Sequence, residues 1–248
     1  MDGFINIWEV KNNAVIFDME FTGLRQNTTP ISLGIVSEDG KKFYAEFCDY
    51  DREQCSDWIL ENVISHMKFH EPMFEEYAQD FVRFNNIGKG EVYIPYKRPK
   101  SHYIITSDRS MLHEKIYSVF HTKIDEKGNA EVFGDCDWVR LSLIKWLSQF
   151  DKIQFVSDVC HYDFVLLIDL LTNGETALDL PKNISAVCHD LNMDIARHFG
   201  ISDCEALDMS REQIMNDLCG EEDIVSGDKH NSLYDAEVIR AIYREIYE

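Results

Sequence analysis

Apolar positions along this chain switch between a period of two and a period near 3.6, which predicts strands and helices in succession. Ala14-Val15-Ile16-Phe17 is a short run of strand formers that stops at an acid. Ile31 to Val36 and Phe43 to Phe47 alternate on either side of the turn Glu38-Asp39-Gly40, predicting three consecutive strands, the last two a hairpin. From Asp51 to about Met67, Trp58, Ile59, Val63 and Ile64 recur at helical spacing. Tyr77, Phe81 and Val82 repeat it between Phe74 and Phe84, so two helices are expected. The stretch from about 85 to 135 breaks the rhythm with Gly88, Gly90, Pro95 and Pro99 and reads as an insertion, with a helix over Ser110 to Phe120. A helix from Trp138 to Phe150, a strand at Ile153 to Val156 and a helix from Phe164 to Leu171 follow. Met193, Ile195 and Phe199 mark another amphipathic helix ending near Gly200, and Ala236 to Tyr247 a terminal one presenting Val238, Ile239, Ile242 and Ile246.

Recurring strand and helix imply an α/β fold with parallel pairing. With 248 residues and 45% hydrophobic content, one core suffices, so residues 1–248 are expected to form a single domain carrying the 85–135 insertion. No basic stretch precedes an apolar run at Met1-Asp2-Gly3-Phe4, and no stretch of about 18 apolar residues occurs, so a soluble cytoplasmic chain with no membrane partner is expected. Seven cysteines without a Cys-x-x-Cys pair argue against a zinc ribbon and against a disulfide framework. Reduced thiols are expected.

Charge narrows the picture, because 45 acidic against 24 basic residues leave −21, the opposite of a nucleic-acid binder's usual footprint. Any such contact must be local. Divalent cations could neutralise clustered carboxylates, and Tyr96-Lys97-Arg98-Pro99-Lys100-Ser101-His102 concentrates positive charge beside aromatic rings. A solvated basic loop is the plainer reading of that cluster.

Phosphodiester hydrolysis by two metal ions needs carboxylates converging from separate segments. Asp18-Met19-Glu20 lies where the first strand stops, and strand alternation puts both acids on one side of the ribbon. Acid-x-acid pairs recur by chance in so acidic a chain; the longer string Phe17-Asp18-Met19-Glu20-Phe21-Thr22-Gly23-Leu24 is more specific. Three His-x4-Asp pairs occur: His189 with Asp194, His198 with Asp203, and His230 with Asp235. Spacing alone does not choose among them.

That first string resembles the opening motif of the DEDD 3′→5′ exonucleases, Asp-x-Glu followed by Thr-Gly-Leu. Ile31 to Val36, Glu38-Asp39-Gly40, Phe43-Tyr44-Ala45 and Trp58 to Val63 are most similar to the polyadenylate-specific exoribonuclease AS group. The likeness covers most of the chain except about 85–135, where this chain is longer. The family's second motif is an Asp opening a helix after the fourth strand; Asp163 fits it best, with Asp158 and Asp169 as rivals. In the His-bearing (DEDDh) subclass the third motif is His-x4-Asp, and His230-Asn231-Ser232-Leu233-Tyr234-Asp235-Ala236 carries it directly before the terminal helix.

The resemblance implies a ribonuclease H-like mixed five-stranded sheet flanked by helices. It implies that Asp18, Glu20, Asp163 and Asp235 hold two Mg²⁺ (or Mn²⁺) and that His230 is the general base, these five being the catalytic set. Phe21, Thr22 and Leu24 would meet the terminal nucleotide. Apart from the resemblance, Lys97, Arg98 and Lys100, a dense basic cluster in a chain of net charge −21, are expected on substrate phosphates. The expected partner is the 3′ end of single-stranded RNA, the products nucleoside 5′-monophosphates. Single-stranded DNA is the alternative substrate, and an idle acidic module mimicking nucleic acid the alternative of another class. Similar enzymes include dimers, so a homodimer is one expected assembly.

Overall fold

The computed structural model describes residues 14–69 and 120–247. β1 (Ala14–Phe21), β2 (Pro30–Ser37) and β3 (Lys42–Phe47) are the three predicted strands, joined antiparallel in sequence order. The single helix expected between Asp51 and Met67 is instead a 3-10 turn at Arg52–Gln54, a short α1 (Asp57–Asn62) and a second 3-10 turn at Ile64–His66. Two caps divide it: the Asp51 carboxylate accepts from the Glu53 amide, and five residues on the Ser56 hydroxyl accepts from the Ile59 amide and starts a new helix. The predicted 74–84 helix, and all of the 110–120 helix but Phe120, lie outside the described residues.

β4 (His121–Ile124) and β5 (Ala130–Gly134) form a hairpin. Its turn is held by Asp125, which accepts from the Lys127 and Asn129 amides, and by Gly128 at φ +86°. α2 (Cys136–Leu147), β6 (Gln154–Ser157), α3 (Cys160–Thr172), the two-residue β7 (His189–Asp190) and α4 (Leu191–Phe199) follow. Gly200 ends α4 in the left-handed conformation, φ +66°, as its position suggested. α5 (Asp203–Leu207), α6 (Arg211–Leu218) and α7 (Ser232–Tyr247) complete the chain.

Among the described residues one mixed sheet runs β4-β5-β3-β2-β1-β6-β7. Its β3-β2-β1-β6-β7 portion is the expected set, three antiparallel strands then two parallel ones. The sheet has seven strands rather than five because β5 joins β3 in parallel and β4 closes that edge. Residues 121–134, assigned to the insertion from sequence, are therefore integral to the sheet.

Alternation along β1 divides the core. Val15, Phe17 and Met19 pack with Leu143, Trp146 and Leu167 of α2 and α3, and the Phe17 ring meets Phe155 edge-on at 5.3 Å. Ala14 and Ile16 pack on the other face with Ile195, Ile214 and the Val238, Ile239 and Ile242 stripe of α7. That stripe is the predicted one, and Ile246 packs beside it. No helix among the described residues is long and apolar enough to cross a membrane.

Candidate active site

Continuing the alternation of β1, Asp18 and Glu20 belong to the face that α7 covers. Gly34 lies opposite Asp18 on β2, and there α7 begins: a Cβ on Gly34 would come within 2.2 Å of the Ser232 backbone. This close approach brings Asp235, in the first turn of α7, to Asp18. Gly34→Ala is expected to destabilise by about 1–3 kcal/mol, because backbone rather than a flexible side chain must yield. It should also lower activity by displacing Asp235, whereas a fall in melting temperature with unchanged turnover would mean that the contact is only structural.

Asp163 arrives from the first turn of α3, just beyond β6, and is 7% exposed, with Ser157 Oγ 3.3 Å from its Oδ2. Its charge, with those of Asp235, Glu20 and Asp158, is felt at Asp18. Burial, reinforced by this like charge, pushes the Asp18 carboxyl well above its ordinary range, and Asp18 Oδ2 is buried without a hydrogen-bond partner. Burial, then Asp158, pushes Asp163 up likewise. Asp235 is raised to about 7 by burial and by Glu20, against the opposing pull of His230. Four acids so crowded cannot all stay ionised unless positive charge joins them.

His230 lies before α7 at φ +65°, a left-handed conformation unusual for a side-chain-bearing residue. Its amide donates to Asp235 Oδ2 at 2.8 Å, which fixes the bend. The ring places Nδ1 3.5 Å from Glu20 Oε1, and this contact raises the imidazole pKa. Glu20, His230 and Asp235 each offer a ligand atom within 4.8 Å of the others. All four carboxylates could hold a cation, and oxygen donors suit hard ions such as Mg²⁺ or Mn²⁺.

The rival residues have other surroundings. Asp158 is ion-paired to Arg211 Nε at 2.7 Å, and Arg211 also donates to Asn192 Oδ1 and the Ala206 carbonyl. Asp169 stands six residues beyond Asp163 on the same helix. His189 pairs with Asp194, which also accepts from Arg197 at 2.8 Å and from the Tyr247 hydroxyl at 2.9 Å, anchoring the end of α7. His198 is exposed and packs on Phe199.

Of the residues expected to meet a nucleotide, Leu24 is 70% exposed and Phe21 half-buried, its ring 6.5 Å from Tyr162 of α3. Thr22 is fully buried; its hydroxyl donates to Gln54 Oε1 at 2.8 Å and its amide to the Thr29 carbonyl. Both groups are thus committed to folding the 22–29 loop, so any nucleotide contact falls to its carbonyl or its neighbours. Lys97, Arg98 and Lys100 lie outside the described residues.

Two aromatic residues beside the carboxylates went unrecognised from sequence. Trp58, which the sequence showed only as one of several apolar residues at helical spacing, is 53% exposed and meets the His230 ring edge-on at 4.9 Å. Tyr162, beside Asp163, is 49% exposed. A tryptophan near a helix start gives no local sign of which way it faces.

Fold and site together define an α/β protein with a convergent carboxylate-histidine cluster at the ends of β1 and β6. No protein-family model matches the chain, and no curated protein does. Among solved structures it is similar to a crystal structure of a full-length 3′-exonuclease, at 12% identity and a TM-score of 0.45, over 94% of this chain and 80% of that one.

Proposed function

We propose that this chain is a metal-dependent 3′→5′ exonuclease that removes nucleoside 5′-monophosphates from single-stranded RNA. The observation that carries this reading is the convergence of Glu20, Asp163 and Asp235 around Asp18, whose Oδ2 is buried without a partner, with His230 against Glu20. A cluster whose own charges repel is destabilised until cations join it, and its oxygen donors fit two Mg²⁺ or Mn²⁺. Bound there, the ions would supply Lewis acidity to the phosphate and a more acidic attacking water. His230, engaged by Glu20 through Nδ1, offers Nε2 to take the proton of that water.

Phe21 and Leu24 serve as apolar contacts for an unpaired terminal nucleotide, and the buried Thr22 knot shapes the loop that presents them. Trp58, against His230, and Tyr162, against Phe21, add aromatic surface on which a base can stack. RNA is preferred because Ile31 to Val36, Glu38-Asp39-Gly40, Phe43-Tyr44-Ala45 and Trp58 to Val63 resemble an exoribonuclease group, whereas the Phe17 to Leu24 string is shared with the wider exonuclease class.

Matched linear RNA and DNA oligomers, 3′-blocked RNA and circular RNA test this reading together. Degradation of linear RNA alone, with Mg²⁺, is expected. Internal cuts in the circle would refute exonucleolysis, and faster loss of DNA would reassign the substrate.

The basic run Lys97, Arg98 and Lys100 is assigned to substrate phosphates. Neutralising all three is expected to raise KM and flatten its salt dependence with little change in kcat. Wild-type KM at both low and high salt would make the run ordinary solvated surface.

A further inference from the structure

A second group of ligand-bearing side chains lies at the β7 edge, within one helical turn of Asp163. Cys160 and His161 open α3, while Cys188 and Asp190 stand two residues apart on the approach to and end of β7. Cys160 Sγ is 3.6 Å from Asp190 Oδ2 and 3.8 Å from His161 Nδ1, and His161 Nε2 is 3.9 Å from Asp190 Oδ2. The Cys188 thiol donates to the His189 carbonyl at 3.7 Å, and burial, then the nearby Cys160 and Asp190, push its pKa up. With one atom each, Cys160, His161 and Asp190 already fit within 4.8 Å of one another.

From these juxtaposed thiols, imidazole and carboxylate we infer a structural zinc site formed by Cys160, His161, Cys188 and Asp190. Bond lengths of about 2.0–2.3 Å in a tetrahedral zinc site place donor atoms roughly 3.3–3.8 Å apart. Cys160, His161 and Asp190 already make contacts of 3.6, 3.8 and 3.9 Å, and Cys188 would turn its thiol from the His189 carbonyl to complete the set. His161 is exposed, so its ring can turn one nitrogen into the group. Asp190 is preset: its Oδ1 accepts from the Asn192 amide as the cap of α4, which leaves Oδ2 facing the thiol and the imidazole. Cys160, packed at the rim of the apolar core, turns its thiol to a carboxylate and a histidine, part of the donor mixture that selects zinc over magnesium. Bound zinc would pin the first turn of α3 to β7, three residues before Asp163.

The inference is separable from the proposed nuclease activity, because a sulfur-to-metal signal cannot come from a carboxylate site. The full chain, reduced and freed of metal with a chelator, is titrated with Co²⁺ and then Zn²⁺. A thiolate-to-cobalt charge-transfer band in the near ultraviolet, with the strong visible bands of a tetrahedral site, is expected, and zinc should bleach both. The Cys160→Ala/Cys188→Ala variant should lose the band. Its absence from the reduced wild type, or its survival in the variant, would overturn the site.

Should that variant fail to fold, alkylation of the wild type decides. Zinc should slow modification of Cys160 and Cys188 but not of the exposed Cys204. Equal rates with and without zinc, or protection without zinc that a reductant abolishes, would also overturn it.

Discussion

Asp18→Asn is expected to lower turnover on the order of 10³-fold, from several kcal/mol of lost charge stabilisation, while making the metal-free protein more stable. The opposite signs share one cause. Asp18 is held above its ordinary pKa by burial and by Asp235, Asp163 and Glu20, and its Oδ2 has no partner, so the ionised group costs folding energy until cations join it. Asparagine keeps the shape and removes the charge.

A pH dependence follows from the same shifts. Asp235 has a folded-state pKa of about 7 against an ordinary 3.8. A raised pKa means that the folded state holds the proton more tightly. The resulting stability is fully present below the ordinary value and lost as pH rises through the folded one. The metal-free melting temperature should therefore fall between pH 4 and pH 7 through this group, more steeply in wild type than in Asp235→Asn. Mg²⁺ at about 100 times its dissociation constant should restore about 2.7 kcal/mol, roughly 5–10 °C for a chain of this length. Calorimetry with and without metal checks both points. A wild-type melting temperature unmoved by Mg²⁺ or Mn²⁺ would remove the cation from the account.

His230→Ala is the second large effect, an expected loss of about 10²–10⁴ in kcat, the usual worth of a general base. The metal-induced rise in melting temperature should survive, since the four carboxylates remain. His189→Ala should behave inversely, with turnover near wild type and lower stability, because His189 is tied to Asp194 and Tyr247 at the end of α7. Loss of activity in His189→Ala with retention in His230→Ala would move the base to His189 and make Asp194 rather than Asp235 the candidate ligand.

The contrast between those histidines shows where sequence is informative. Three His-x4-Asp pairs have the same spacing, and only position before the terminal helix distinguished His230. The structure separates them by surroundings: a carboxylate cluster for one, an internal ion pair for the next and solvent for the third. Asp18 and Glu20 were legible because strand alternation is local and the string around them is long. Asp163 was not legible on its own, since acids in a first helical turn are commonplace dipole partners; family likeness raised it above Asp158.

The β4–β5 hairpin escaped because His121-Thr122-Lys123-Ile124 is an edge strand with little apolar alternation, whose pairing with β3 is decided far away in sequence. The break in the 51–67 helix was written in Asp51 and Ser56 but masked by the helical spacing of Trp58, Ile59, Val63 and Ile64. The approach of Cys160 to Asp190 escaped for the same reason as the hairpin: the two converge across 30 residues and match no Cys-x-x-Cys spacing.

The most direct test of the carboxylate centre is gel analysis of 5′-labelled RNA homopolymer with wild type and Asp163→Asn, in Mg²⁺ and after chelation. A ladder shortening from the 3′ end is predicted for wild type with Mg²⁺, none after chelation, and none from a folded Asp163→Asn. Cleavage that survives EDTA, or a wild-type ladder from Asp163→Asn, would contradict the account.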